Sequence, residues 1–250
     1  MSRRSIVLAA ALLASCAGSS PAGSGEATPP VDPPADPAAE LRFSCGDDLA
    51  FPAEALFGPV GAELAATEQA AVLRAFLAQP GPEVDMLPDA GWRLVVATAD
   101  DVMFIAGDPA RAEGLERVLL ERSADGWEVG GWGGCTPIVV LAGGLGPAEW
   151  VLDPAAPPPG PNTRTFTALV TERSCASGRP PDGRIAPPLV SYGGDSILVV
   201  FGVRPLVGGQ DCPSNPAGRV VVELREALGD LRLLDGAFFP PRDVTQPAGG

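Results

Sequence analysis

The side chains with which this chain could do chemistry are mainly carboxylates, arginines and five cysteines; its 250 residues include no His and no Lys. That absence removes Ser-His-Asp and Cys-His pairs, Ser-Lys dyads and Schiff-base lysines. It also removes imidazole-ligated zinc or haem and a histidine general base at neutral pH. What remains is a carboxylate pair of the glycosidase kind or an all-oxygen metal site. Spacing selects no such pair, so no catalytic residue, metal or cofactor is expected.

The acidic doublets Asp47-Asp48 and Asp100-Asp101 come nearest to a cation site. Neither sits in a D-x-D-x-D-G loop, and both read as solvated turns. Gly130-Gly131-Trp132-Gly133-Gly134 has the glycines of a phosphate cradle without the Lys or the helix start that a cradle needs. Cys135-Thr136-Pro137 follows instead, so the stretch reads as a turn beside a disulfide. Trp92, Trp127, Trp132 and Trp150 could stack on sugar rings, but tryptophans at strand starts more often fill cores or rims. Glu172 and Arg173 are adjacent on an expected strand, where they face opposite sides and cannot pair directly without a bulge.

Cys16 stands apart from the other cysteines. Arg3 and Arg4 precede an apolar run at 6–13 that is too short to span a bilayer, and small residues lead straight into Cys16. This resembles a bacterial lipobox, which implies cleavage before Cys16 and diacylglycerol (palmitate-type) attachment to its sulfur. Two acyl chains give a stable hold, so the expected location is the extracytoplasmic face of the cell membrane. Loss of Arg3 and Arg4 takes the formal charge from −14 to −16. Such a surface repels nucleic acid, and no nucleic-acid partner is expected. The expected partners are the membrane, through the anchor, and an envelope protein or cell-wall glycan.

In an exported chain the even set Cys45, Cys135, Cys175 and Cys212 argues for two disulfides, with three pairings possible. Cys45–Cys135 and Cys175–Cys212 are favoured because each bond then closes within one expected domain. No C-x-x-C spacing supports a thiolate metal site.

The elements that must position these residues divide as follows. Residues 1–15 form the signal peptide, and 16–40 a lipidated Pro/Ala/Gly tether with too little apolar bulk to order. Residues 41–152 form an α+β domain: a helix over 61–78, with Leu64, Ala71, Val72, Ala75 and Phe76 inward and Leu73 and Leu77 widening that stripe, packed on an antiparallel meander of strands at 92–98, 102–106, 116–122 and 127–132. A proline-rich connector, 153–161, leads to an antiparallel β-sandwich-like domain at 162–241 and a disordered tail at 242–250. The expected class is therefore α+β.

Several second-half residues recur as a set: Glu172-Arg173-Ser174-Cys175-Ala176-Ser177-Gly178, Gly183-Arg184-Ile185, Cys212-Pro213-Ser214-Asn215-Pro216 and Leu233-Leu234-Asp235-Gly236. They resemble a group of uncharacterised actinobacterial exported lipoproteins with an E-R-x-C-A-S-G … C-P-x-N-P … L-L-D-G pattern. Trp132-Gly133-Gly134-Cys135 and Ala148-Glu149-Trp150 fit the same resemblance. It implies export and a shared architecture and assigns no activity to any residue. The expected function is a non-catalytic binding or scaffolding module of the envelope. The rivals are a saccharide or small-ligand receptor and a carboxylate-pair glycoside hydrolase.

Overall fold

The computed structural model describes residues 41–111 and 114–245. Cys16 and the stretches expected to form the signal peptide and the tether lie outside the described residues. The expected α+β class is corrected: the described residues are β-rich, about 38% strand and 10% helical, with three sheets and one α-helix among them.

A four-stranded antiparallel meander runs in sequence order: β3 (Arg93–Ala97), β4 (Asp101–Ala106), β5 (Glu116–Ser123) and β6 (Gly126–Gly134). A small sheet pairs β2 (Phe51–Pro52), β1 (Arg42–Ser44) and β7 (Ile138–Val140). The largest sheet has the order β12 (Gly218–Glu223), β9 (Thr165–Glu172), β8 (Gly146–Leu152), β11 (Ser196–Val203), β13 (Arg232–Asp235) and β14 (Arg242–Asp243), with β10 (Leu189–Tyr192) also on β11. The proline-rich stretch 153–161 joins β8 to β9, which are adjacent in this one sheet.

The second half is not a purely antiparallel sandwich, because β13 runs parallel to β11, with Leu233 opposite Ile197. β8 pairs antiparallel with the following part of β11, from Phe201 to Val203. Gly236 follows β13 where the backbone donates to the Val199 carbonyl, and a Cβ there would lie 2.7 Å from a Val200 methyl. Only glycine fits that approach. Arg242 and Asp243, expected in a disordered tail, instead pair with Asp235 and Leu234.

The helix also differs from expectation. Only Glu68–Leu77 (α1) is α-helical, and Ala62–Leu64 forms a separate 3-10 turn. Thr67 stops the helix from extending further back, its hydroxyl capping the Ala70 N–H at 3.2 Å. Upstream, Gly61 takes a left-handed φ of 92°, and Glu63 turns inward to accept from the Gly91 and Trp92 N–H groups at 3.0 and 3.1 Å. The buried stripe is Ala70, Leu73 and Phe76, while Leu64 is 76% exposed.

Strand alternation divides the interior into three cores. Val102, Phe104 and Ala106 of β4 meet Leu73 and Phe76 of α1. Met103 and Ile105 face the other way, into a core shared with Phe43, Phe51, Val139, Val200, Ala237 and Phe238. This second core therefore draws on residues from both sides of 153–161. The third lies within the largest sheet, where Trp150 stacks on Phe166 at 5.4 Å and meets Phe201 edge-on at 6.0 Å. Across that sheet, the Tyr192 hydroxyl of β10 accepts from the Arg225 N–H just past β12 at 2.7 Å.

Candidate functional site

β9 alternates Phe166, Ala168 and Val170 into the core, and the same period delivers Glu172 to that buried side at 2% exposure. A carboxylate there requires a partner. Arg184 supplies it, with Nη2 2.6 Å from Glu172 Oε2 and the same guanidinium donating to the Arg204 and Pro180 carbonyls. Arg173, one residue on, belongs to a different cluster. Its guanidinium lies 4.8 Å from the Phe238 ring centre and 3.8 Å from Glu149 Oε2. Arg242 lies 3.5 Å from the same ring centre and 3.7 Å from the same oxygen. Glu172 and Arg173 thus make separate ion pairs, as their opposite directions on the strand require.

Beyond β9 the chain is stapled. Cys175 is bonded to Cys212, with Cα atoms 4.5 Å apart, and Cys45 to Cys135, with Cα atoms 4.9 Å apart. Asn215 clamps the first of these staples: its Nδ2 donates to the Glu172 carbonyl at 3.0 Å and the Ser174 carbonyl at 2.8 Å. Those two donations fix which way its amide points. They leave Asn215 Oδ1 buried without a hydrogen-bond partner among the described residues. Ser177 ties the other side, its backbone N–H donating to the Asp211 carbonyl and its hydroxyl accepting from the Asp211 N–H.

The result is an open polar cleft of about 330 Å³, lined by Glu149, Thr171, Arg173, Ser174, Ser214 and Asn215 beside the disulfide. No protein-family model, curated protein or solved structure matches this chain. The cleft must therefore be read from its own residues. It offers one acidic and one basic group, Glu149 and Arg173, and three hydroxyl-bearing residues, Thr171, Ser174 and Ser214, a lining suited to holding a small polar group.

The remaining sequence candidates are dispersed. Trp92 and Trp150 are fully buried, Trp127 nearly so, and Trp132 alone among the four is substantially exposed, at 43%. They make no stacking platform. Asp47 pairs with Arg117 and accepts from the Leu49 N–H, while Asp100 and Asp101 sit at the β3–β4 turn and donate backbone N–H groups to Thr98. Gly130–Gly134 lies within β6 and is a strand rather than a turn. Among the described residues no group of three or more His, Cys, Asp and Glu could hold a metal ion.

The buried carboxylates that sequence reasoning did not single out are all engaged. Glu63 holds the Gly91 and Trp92 amides, and Asp153 pairs with Arg219 at 2.6 Å. Asp235 accepts from the Trp150 N–H at 3.3 Å and the Ala237 N–H at 3.0 Å. Burial drives its pKa up to about 6 despite these two donors. A raised carboxyl can serve as a general acid. This one is 2% exposed, and each oxygen is turned to a backbone amide.

Proposed function

We propose that this chain is a membrane-anchored cell-envelope lipoprotein that acts as a non-catalytic binding module. The lipobox-like run ending at Cys16 supports the anchor and the extracytoplasmic location. A tether of 24 residues, reaching about 70 Å at most at 3.1 Å per residue, would hold the folded part off the membrane. The E-R-x-C-A-S-G … C-P-x-N-P pattern resembles that of exported lipoproteins, and its members here build the stapled cleft.

One observation carries the binding reading: an open polar cleft of about 330 Å³ lies beside the Cys175–Cys212 staple, its wall held by the two Asn215 amide donations. The Ser174 and Ser214 hydroxyls and the Arg173 and Glu149 side chains on its lining can exchange hydrogen bonds with a small polar ligand. The absence of His and Lys, together with the engagement of the buried carboxylates, favours recognition over catalysis.

The test is a thermal-shift screen of the oxidised protein against peptidoglycan fragments, envelope glycans and small polar metabolites. A ligand at about a hundred times its Kd should raise Tm by roughly 5–10 °C. Ser214→Trp, which fills the cleft mouth, should abolish that rise. A ligand that is turned over, or one that binds the Ser214→Trp variant equally well, would overturn the reading. Labelled-palmitate incorporation that is lost in Cys16→Ser would establish the anchor.

A further inference from the structure

We propose that a second cleft, between the turn at 81–88 and the end of β6, binds an alkylammonium group. Register brings its residues together. Leu119 pairs with Gly131 and Leu120 with Val129, which leaves Gly130 as the extra residue of a bulge. The bulge resets the alternation, so Trp132, opposite Val118, falls on the face that carries Trp127, Val129 and α1. Its ring lies 5.2 Å from that of Phe76, tilted by 55°, which fixes its orientation. Glycines on either side leave the ring uncovered.

Around that ring the cleft has a volume of about 230 Å³, lined by Glu83, Met86, Leu87 and Glu116. Leu87 is buried, whereas Met86 is 77% exposed. Glu116 precedes Val118 by two residues on β5 and shares its face. Among the described residues no arginine pairs with Glu83 or Glu116, although eight ion pairs form elsewhere among them.

A half-exposed indole, a thioether and two carboxylates without an arginine partner together select a cation with an alkyl stem. The side chains offer carboxylate acceptors and no cation, so anions are repelled. A neutral sugar would lack the counter-charge these carboxylates call for. The formal charge of −14 adds a long-range attraction for cations. The volume suits a short alkylammonium, either a free small amine or the side chain of a lysine-like residue in a peptide.

The test is a titration of the oxidised protein at fixed ionic strength with n-butylammonium, N-acetyl-lysine methylamide and 1-butanol, read by calorimetry and tryptophan emission. Both cations should bind saturably at about 1–10 mM, and 1-butanol should not. Glu116→Gln, which keeps shape, should weaken binding about three- to tenfold, and Trp132→Phe should remove the emission change. Tighter binding of the lysine amide would assign the source to a peptide, and tighter binding of butylammonium to a free amine. Equal binding of 1-butanol, no effect of Glu116→Gln, or no saturable response would overturn the proposal. Near-UV circular dichroism of the variants separates loss of binding from loss of fold.

Discussion

The Asp235 carboxylate accepts a hydrogen bond from the backbone N–H of Trp150, 85 residues earlier in the chain, at 3.3 Å. It does so where β13 and β8 leave off on β11, and its other oxygen takes the Ala237 N–H. A side chain therefore serves two backbone donors at the point where one pairing partner of β11 gives way to another.

This arrangement predicts an acid-side stability term. Burial lifts the folded-state pKa of Asp235 from 3.8 to about 6. The folded protein then holds the proton more tightly than the unfolded chain. Its contribution is fully present below about pH 4 and is lost as pH rises through 6, to the extent of about 3 kcal/mol. Asp235→Asn should remove that slope. Urea midpoints of wild type and variant should diverge towards pH 4, in favour of wild type, and parallel profiles would refute the account.

The Glu172–Arg184 pair should behave as a buried one. Removing the guanidinium alone, with Arg184→Met, strands a carboxylate at 2% exposure and should cost about 3–5 kcal/mol. Glu172→Gln combined with Arg184→Met should recover much of that loss. The Arg232–Asp195 pair is exposed on both sides, and Arg232→Met should cost about 1 kcal/mol or less. Equal losses at the two sites would contradict this ranking.

Helix α1 gives a sharper contrast. Leu73→Ala empties a fully buried position and should cost about 2–5 kcal/mol. Leu64→Ala, at a site 76% exposed, should fall within about 0.5 kcal/mol of wild type. Denaturant midpoints of the two variants decide it.

The disulfides close loops of different length, with sequence separations of 90 and 37. Loop-closure entropy assigns about 4.6 kcal/mol to the first and about 3.9 to the second. Cys45→Ser with Cys135→Ser should therefore lower the unfolding free energy somewhat more than Cys175→Ser with Cys212→Ser. Calorimetry of the two double variants would show the order.

Several elements were legible because local signals dictate them. β10 ends at Tyr192 where Gly193-Gly194-Asp195 turns the chain, and the strands of the four-stranded sheet fall close to their expected bounds, between their turns. β8 was missed because Gly143-Gly144-Leu145-Gly146-Pro147 reads as a turn, yet only its beginning is one. The parallel pairing of β13 is set by long-range contacts of Asp235 and Gly236, which no local pattern encodes. At the candidate site, the opposite directions of Glu172 and Arg173 follow from strand period. Arg184 and Asn215 were visible only as motif members, because their partners depend on how the chain returns to β9.

The segment after β13 completes the small sheet. Val139 N–H donates to the Ala237 carbonyl, Phe239 N–H to the Pro137 carbonyl, and Ile138 bridges Phe238. The strands nearest the start of the described chain are thus covered by residues close to its end. During synthesis roughly 190 residues separate the two, about 10–40 s of elongation. Until Phe238 emerges, Phe43, Phe51 and Val139 lack part of their cover. Under the proposed export, in which the chain crosses a membrane unfolded, this delay keeps its first strands from completing their cover before the residues around Phe238 have been made.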